Sequence, residues 1–253
     1  MTLNVHTGGR KDGEDVVVFL HGAGADHTVW RFQTRWLAHR GWKIRAPDLP
    51  GHGASDGPSP DSIAEAAEWL GGFLAELGRA AVVGHSMGAL IALETASGDP
   101  ACVERMMLVG AGPRIPVHPT LLAAARDDRP LAAAYIAGWS VPAANRGGHP
   151  YPGTWHQGGI SRLVERSRPG VLAADLTACA SYEASELEHV AVPVWVVAGD
   201  QDRMIPKGGP QQLAEAIPGA RLVTLPGAGH EPMLQQPREF NRVLARFLAE
   251  GRL

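Results

Sequence analysis

Residues 82–90 read VVGHSMGAL, and this stretch determines how the rest of the chain is interpreted. An apolar run over residues 80–83 stops at a Gly-x-Ser-x-Gly, and an Ala/Leu/Ile-rich helical pattern follows directly. A strand that turns into a helix within two or three residues forces its central residue into a strained backbone conformation. Gly84 and Gly88 lack the Cβ atoms that would clash with the crossing backbone. The stretch therefore predicts a strand, a sharp turn and a helix, with the hydroxyl of Ser86 exposed at the tip.

The composition is that of an ordinary globular protein. The 253 residues are 45% hydrophobic and 19% charged, and the formal net charge is −3. Because the charges form no block of one sign, neither nucleic acid nor an anionic membrane is expected as a partner. The N-terminus shows no charged segment followed by an apolar one, so no secretion signal is expected. No apolar run approaches the ~18 residues that a membrane span needs.

The chain contains two cysteines, Cys102 and Cys179. They stand far apart and in no metal-binding or redox spacing. Because disulfides persist mainly in oxidising compartments, we expect free, buried thiols in a cytoplasmic protein. The oligomeric state does not follow from the sequence, and a homodimer stays open beside a monomer.

Strand patterns alternate with helical patterns along most of the chain. Apolar and β-branched runs predict strands over residues 16–20, 42–46, 80–83, 105–109, 192–198 and 221–225. A capping box at Ser62 and Glu65 opens a helix over 62–77, and Pro237 begins a closing helix that runs to Glu250. This alternation predicts an α/β fold with a mostly parallel central sheet flanked by helices.

The alternation breaks between residues 113 and 190. This segment shows helical patches over 121–136 and 171–182 and a loose Gly/Pro/His-rich stretch over 143–159, but no convincing strand. We interpret it as a small helical cap inserted into the sheet domain and lying over the sheet. The chain then divides into a first core part, the cap insertion and a second core part, over residues 1–112, 113–190 and 191–253.

His230 is the best candidate for a base acting on Ser86. A serine hydroxyl is a weak nucleophile at neutral pH and needs a base within hydrogen-bond reach, itself oriented by a third group. His230 lies in a glycine-flanked loop, PGAGHEP, after the last predicted strand. Loops at the carboxyl ends of strands are where open α/β sheets bind their ligands. His21, His52 and His85 lie in glycine turns near the same edge, where packing or hydrogen bonding is their expected role.

Two aspartates compete to orient His230, and both follow the strand over 192–198 in the loop GDQDRMIP. Asp202 lies deeper in this loop and is better placed to reach the histidine loop. Asp200 is expected to stabilise the turn by bonding its own backbone. The loop after the preceding strand, GAGP at residues 110–113, has no carboxylate, so Asp202 is the predicted partner of His230.

The tetrahedral intermediate of an acyl transfer needs two preorganised amide donors for its oxyanion. One would be the amide of Met87, which directly follows Ser86. The other should come from HGAG at residues 21–24, where glycines let the backbone approach closely, and the amide of Ala23 is the predicted donor. The sequence shows neither a metal-ligand cluster nor a phosphate-binding glycine loop, so no metal and no cofactor is expected.

Five motifs, in this order and spacing, resemble the α/β-hydrolase fold family in its esterase, lactonase and C–C hydrolase branch. They are HGAG, DLPGHGAS, GHSMG, GDQDRMIP and PGAGHEPM. The resemblance covers nearly the whole chain outside residues 113–190, which occupy the family's cap position. It implies Ser86 as nucleophile, His230 as general base and then acid, and Asp202 as its orienting partner. It also implies that Asp48 belongs to a structural turn.

Two departures from neighbouring members narrow the chemistry that the resemblance implies. Family members that dehalogenate or open epoxides carry aspartate where this chain has Ser86, so those activities are not expected. Hydroxynitrile-lyase relatives use a lysine near the site. Lys207, the nearest candidate here, is better interpreted as a surface-loop residue.

The motifs together predict a cofactor-independent serine hydrolase, most simply a carboxylesterase that cleaves small to medium acyl esters through an acyl-enzyme. The alternatives left open are a C–C bond hydrolase, a carrier-linked methyl esterase or acyl transferase with the same triad, and a non-catalytic ligand receptor. The insertion would build the acyl pocket, with Trp139, Tyr151 and Trp155 beside a set of arginines. These arginines weakly favour an anionic or carrier-bound substrate, although most are expected to be solvated: Arg114, Arg126, Arg129, Arg146, Arg162, Arg166 and Arg168.

Overall fold

A seven-stranded sheet runs through the computed structural model, which describes residues 2–9, 16–98, 100–146 and 155–250. The strands are β1 (Val5–Gly8), β2 (Val16–Leu20), β3 (Lys43–Pro47), β4 (Ala80–His85), β5 (Val103–Val109), β6 (Val194–Gly199) and β7 (Arg221–Leu225). The α-helices are α1 (Arg31–Ala38), α2 (Ile63–Leu77), α3 (Met87–Gly98), α4 (Pro119–Asp127), α5 (Arg129–Ser140), α6 (His156–Glu165), α7 (Val171–Ser181), α8 (Gly209–Ala216), α9 (Pro232–Gln235) and α10 (Pro237–Ala249). Within the described ranges, no helix combines the length and the apolar character that crossing a bilayer requires.

The strand order places the ends of β2 and β4 side by side. The order is β1-β3-β2-β4-β5-β6-β7, and every neighbouring pair is parallel except β1 with β3. The chain leaves β2 toward β3 but leaves β4 toward β5, so the loops that follow β2 and β4 diverge. Such a switch point opens a crevice at the carboxyl edge of the sheet. The predicted α/β fold, with a mostly parallel sheet flanked by helices, is confirmed.

The central strands are buried on both faces, which explains their continuous apolar runs. In β2, Val16, Val18 and Leu20 pack into an apolar cluster with α2 and α3. Val17 and Phe19 point the other way, into a cluster with α1 and α10. The sheet is thereby fixed from both sides, and its carboxyl edge is a rigid base for the loops that carry the candidate site.

Helices α4 to α7 lie between β5 and β6 in the chain and form an apolar cluster of their own. The patch predicted over 121–136 is two helices, because Asp128 ends α4 and its carboxylate caps α5 by accepting from the Leu131 amide at 3.1 Å. The Gly/Pro/His-rich stretch over 143–159, which the sequence predicted to be loose, includes the start of α6. The division of the chain at residues 113 and 190 stays a prediction.

Candidate active site

Ser86 occupies the tip of the turn between β4 and α3. Its φ is +53°, a left-handed conformation that costs a non-glycine residue about 1–3 kcal/mol. A Cβ on Gly84 would lie 2.2 Å from the Gly88 carbonyl oxygen, and one on Gly88 would lie 2.6 Å from the His21 carbonyl oxygen. The Ser86 amide donates to the Val109 carbonyl oxygen at 2.8 Å. Both glycines are therefore sterically required, and the serine is held in its strained position by the neighbouring strand.

The predicted oxyanion donors come from two segments beside Ser86. Met87 is the first residue of α3, so its amide belongs to the first helical turn, where N–H groups have no intrahelical acceptor. The other segment is residues 21–24, called the glycine loop below. A Cβ on Gly22 would lie 3.2 Å from the Ser86 Cβ, and Ala23 lines the same cavity as Ser86. The role of the Ala23 and Met87 amides stays a prediction.

His230 and Asp202 meet at the carboxyl edge of the sheet. Asp202 Oδ2 lies 2.9 Å from His230 Nδ1, and neither side chain is more than 5% exposed. Asp202 Oδ1 accepts from the amides of Met204 at 2.7 Å and Ile205 at 3.2 Å. Burial raises the pKa of Asp202, but the charge and hydrogen bond of His230, with these two amides, lower it overall. The resulting carboxylate fixes a proton on Nδ1 and leaves Nε2 of His230 to exchange a proton with a reactant.

The backbone of His230 is held by two further hydrogen bonds. Its amide donates to the Ser140 carbonyl oxygen at the end of α5, and its carbonyl oxygen lies 3.0 Å from Nε2 of His85. Burial, followed by the proximity of His230, lowers the pKa of His85 to about 3, so His85 is neutral and donates from Nε2. Gly110, with φ +60°, leaves room for the ring of His230, because a Cβ there would lie 3.1 Å from His230 Nδ1. The loop after β5 thus supports the histidine instead of supplying an acid.

Glu231 is a second titratable group in this loop, and no motif in the sequence points to it. Burial lowers the pKa of His230, but Asp202 and then Glu231 raise it overall. Glu231 is 5% exposed and lines the cavity described next, and burial raises its pKa to about 7. Perturbed groups of this kind cluster at functional sites. A glutamate after a loop histidine gives no signal of burial in the sequence, which is why it was missed.

Ser86 and His230 line a cavity of about 530 Å³ between the sheet edge and the cap helices. Its walls are mostly apolar and include Leu121, Ile136, Trp139, Ile160, Leu176 and Leu234. This volume lies within the ~300–1,000 Å³ typical of small-molecule sites. Trp139 therefore lies where the sequence predicted a pocket aromatic. Trp155 is 67% exposed and does not line this cavity, and Tyr151 lies outside the described residues.

The arginines of the insertion do not line the cavity in the part of the chain that is described. Arg166 pairs with Asp26 at 2.5 Å, and Arg129 donates to the Ser167 carbonyl oxygen at 2.6 Å. The exposed Arg203, from the same loop as Asp202, does line the cavity. The insertion's arginines therefore give no support to an anionic substrate.

The rival candidates for base and acid have structural partners. His21 Nε2 accepts from the Leu49 amide at 3.0 Å, and its Nδ1 lies 2.9 Å from the Gly22 carbonyl oxygen. These contacts tie the glycine loop to the loop after β3. Asp200 is exposed, and its Oδ1 accepts from the Gly227 amide at 2.7 Å. Asp200 therefore bonds the turn after β7 and not, as predicted, its own backbone.

Asp26, His27 and Asp48 are a described group whose ligand atoms lie within 4.8 Å of one another. Asp48 Oδ1 accepts from the amide of His27 at 2.8 Å and lies 2.7 Å from its Nδ1. Asp48 Oδ2 accepts from Asn4 Nδ2 and from the Ala54 amide. Burial raises the pKa of Asp48, but these donors bring it well below the usual range. The carboxylate serves the structural turn, and the absence of a metal from the reaction stays a prediction.

A parallel sheet of this order, a serine elbow and a buried histidine–aspartate pair at one edge define a class of hydrolases. The chain belongs to the alpha/beta hydrolase family, whose model matches residues 17–243. The predicted family is thus confirmed, and with it a hydrolase fold. The assignment of Ser86, His230 and Asp202 to chemical roles stays a prediction.

Similar proteins include esterases and a lactonase. The chain is 32% identical over 242 residues to pimeloyl-(acyl-carrier protein) methyl ester esterase of Aromatoleum aromaticum, a match that covers 88% of this chain and 94% of that protein. A thermophilic esterase of known structure is 27% identical, with a TM-score of 0.82 over 98% of this chain and 93% of that one. The enol-lactonase of Burkholderia xenovorans LB400 shares the fold, with a TM-score of 0.86, 23% identity and coverage of 98% and 96%.

Proposed function

We propose that this protein is a cofactor-independent serine hydrolase that cleaves carboxylic esters of small to medium acyl chains through an acyl-enzyme. The observation that carries the proposal is the buried pair of His230 and Asp202, 2.9 Å apart, whose histidine lines the same cavity as Ser86. The similarity to esterases supports an ester as the scissile group.

In the first half-reaction, Oγ of Ser86 attacks the acyl carbon while Nε2 of His230 takes the hydroxyl proton. Asp202 stays ionised and stabilises the imidazolium that forms. The negative charge moves to the former carbonyl oxygen, which the amides of Ala23 and Met87 stabilise, each by roughly 3–4 kcal/mol. The bond to the leaving alcohol then breaks, and His230 returns its proton to the alcohol oxygen.

The second half-reaction releases the acid. Water enters where the alcohol left, and Nε2 of His230 takes one of its protons as the water oxygen attacks the acyl carbon. The same two amides stabilise the second oxyanion. Collapse breaks the bond to Oγ of Ser86, and His230 returns the proton to that oxygen. The products are the carboxylic acid, which ionises at neutral pH, and the free enzyme.

The cavity supports an apolar acyl group. Side chains from the cap, such as Leu121 and Ile136, face the same space as Ser86 and leave room of about 530 Å³. Burial of each methylene of a substrate in such a wall is worth about 0.8 kcal/mol. The affinity for straight-chain esters should therefore rise with acyl length until the cavity is full.

The experiment that tests the proposal is hydrolysis of p-nitrophenyl esters from acetate to laurate by the wild type, Ser86→Ala and Ser97→Ala. Ser97 lies exposed on the same helix and donates to the Leu93 carbonyl oxygen, so it is a matched serine control. We expect an optimum between butyrate and octanoate, loss of activity in Ser86→Ala alone and wild-type rates in Ser97→Ala. Equal rates in Ser86→Ala and the wild type on every ester would contradict the proposal.

A second candidate is a methyl esterase acting on carrier-linked acyl chains. The observation that favours it is the 32% identity, over 88% of this chain, to an enzyme named for that substrate. The apolar cavity would hold the acyl chain, with the carrier outside. A methyl ester of an acyl chain linked to acyl carrier protein should then be hydrolysed faster than the same methyl ester in free form. Equal rates for the two would favour the simple esterase.

A further inference from the structure

The glycine loop is held from the cap by one carboxylate. The Gly24 amide donates to Oδ2 of Asp175 in α7 at 2.8 Å, although the two residues are 151 positions apart. Leu172, on the same helix, covers the same glycine, because a Cβ on Gly24 would lie 2.7 Å from Leu172 Cδ1. Ala23, the predicted oxyanion donor, is therefore followed directly by an amide whose position α7 determines.

Asp175 is fixed by a further set of contacts. It is 1% exposed, its Oδ1 accepts from Ser59 Oγ at 2.8 Å, and its Oδ2 also lies 2.8 Å from Nε2 of His52. The other ring nitrogen of His52, Nδ1, lies 2.9 Å from the Pro50 carbonyl oxygen. Because a carbonyl and a carboxylate only accept hydrogen bonds, both ring nitrogens donate. His52 is therefore an imidazolium that forms a buried ion pair with Asp175.

The pKa shifts of His52 and of its neighbour His21 are consistent with a positive charge on His52. Burial lowers the pKa of His52, but the hydrogen bond and charge of Asp175, with the Pro50 carbonyl and the charge of Asp48, raise it overall. The ring of His21 lies 4.9 Å from that of His52, and its pKa is lowered to about 4 by burial and then by His52. His21 is thus neutral, and the single cation of this group stays with His52.

We propose that Asp175 is a positioning residue for acyl transfer, which holds the glycine loop so that the Ala23 amide is presented to the oxyanion. The inference rests on the proposed function, since a reaction without an oxyanion makes no use of that amide. Gly22 and Gly24 give the loop many alternative backbone conformations. Displacement of a catalytic group by about 1 Å can lower a rate by on the order of 10²-fold. The buried, charge-assisted bonds of Asp175 select one conformation.

The test compares Asp175→Ala and Asp175→Asn with Ala178→Gly. Ala178 is 3% exposed on the same helix and does not line the cavity, so glycine there weakens α7 without removing a contact of the loop. The probes are hydrolysis of p-nitrophenyl butyrate and inhibition by butylboronic acid. The boronic acid forms a tetrahedral adduct with Ser86 and places an oxygen where the oxyanion would form.

Asp175→Ala should lower kcat by about 10²-fold, weaken boronic acid inhibition by a similar factor and leave KM within about threefold. Asp175→Asn keeps an acceptor for the Gly24 amide and should recover about tenfold of the lost kcat. Ala178→Gly should lower the thermal midpoint and leave both catalytic readouts at wild-type values. If Asp175→Ala lowers only the thermal midpoint, the carboxylate is structural and the inference is overturned.

Hydrogen exchange followed by NMR separates this inference from the proposed function. The Gly24 amide should exchange at least about tenfold faster in Asp175→Ala than in the wild type, with no such change in Ala178→Gly. Ester hydrolysis that depends on Ser86, together with unchanged kcat and exchange in Asp175→Ala, would overturn this inference alone. A wild type that is inert on every ester and unreactive at Ser86 would overturn the proposed function. The role of Asp175 as a positioning residue for acyl transfer would then fall with it.

Discussion

Two buried histidine–carboxylate pairs lie at the carboxyl edge of the sheet, and their imidazole rings differ in the nitrogens that remain available. His230 contacts Asp202 through Nδ1 at 2.9 Å and lines the cavity beside Ser86. His52 contacts Asp175 through Nε2 at 2.8 Å, but its Nδ1 is also engaged, with the Pro50 carbonyl oxygen. A base needs a nitrogen that can take up a proton, and only His230 has one to offer.

The difference shows that distance and burial alone do not identify a catalytic pair. In both pairs burial lowers the pKa of the histidine and a carboxylate raises it. The second partner of each ring decides whether a nitrogen is left to exchange a proton. A cavity on the far side of His230 allows proton exchange, whereas a carbonyl on the far side of His52 fixes the charged form. The first pair suits chemistry and the second suits the attachment of the cap to the glycine loop.

The largest effect is expected for His230, which lines the cavity, and for its partner Asp202. His230→Ala should lower kcat for p-nitrophenyl butyrate by at least about 10⁴-fold, since triad knockouts remove the base for both half-reactions. Asp202→Asn should lower it by about 10⁴-fold, because the amide stabilises the wrong tautomer of the histidine. Steady-state kinetics beside circular dichroism spectra would check both. A His230→Ala variant within tenfold of the wild type would assign the base to another residue.

The second expectation concerns the contribution of the His52–Asp175 pair to the free energy of unfolding. His52→Leu removes both donors of the ring and leaves Asp175 buried without its cation, which should lower the free energy of unfolding by about 3–5 kcal/mol. His189→Leu, at an exposed histidine near the end of the insertion, should change it by less than about 0.5 kcal/mol. Urea denaturation of the three proteins measures this. Equal stability of His52→Leu and the wild type would contradict a buried ion pair.

The sequence predicted the first pair because each of its members stands in a local motif. Asp202 follows a buried strand in GDQDRMIP and His230 follows another in PGAGHEPM. The parallel sheet then brings both loops to one edge, so two local signals and one topological rule suffice. The same argument placed Ser86 and the glycine loop.

The second pair could not be predicted in this way. Asp175 lies in a helix whose sequence, VLAADLTACAS, carries an isolated carboxylate that would be assigned to solvent. Its partner His52 is 123 positions away, and their contact depends on how the cap packs on the sheet. Packing of an inserted helix follows from complementary side-chain shapes, which no periodic pattern encodes. The break between α4 and α5 at Asp128, by contrast, could be predicted from the sequence. An aspartate before Arg-Pro is a recognisable N-cap signal.

The two pairs should respond to pH in opposite senses. The pKa of His230 is raised above its ordinary value of 6.5, so kcat/KM should increase with pH through a midpoint above 6.5, as the neutral base forms. The pKa of His52 is also raised, so its contribution to stability is fully present below 6.5 and is lost as the pH rises through the folded-state value.

Rate profiles and urea denaturation between about pH 5 and 9 would test this contrast. In Asp175→Asn the loss of stability at high pH should become shallower, because His52 no longer has a carboxylate to pair with. The acid limb of kcat/KM should keep its midpoint in that variant. A shift of the acid limb in Asp175→Asn would mean that the two pairs are coupled and not independent.

The smallest effect is expected for the aspartate that competes with Asp202 in the sequence. Asp200 is exposed, and its contact is the Gly227 amide at 2.7 Å, outside both pairs. Asp200→Asn keeps an oxygen acceptor for that amide, so kcat should stay within about twofold of the wild type and stability within about 1 kcal/mol. The two aspartates are two positions apart in one loop, and of the two it is Asp202 that contacts His230. If Asp200→Asn lost activity to the extent expected for Asp202→Asn, the hydrogen bond to His230 would not be what distinguishes them. The basis for separating a catalytic pair from a structural one by its contacts would then fail.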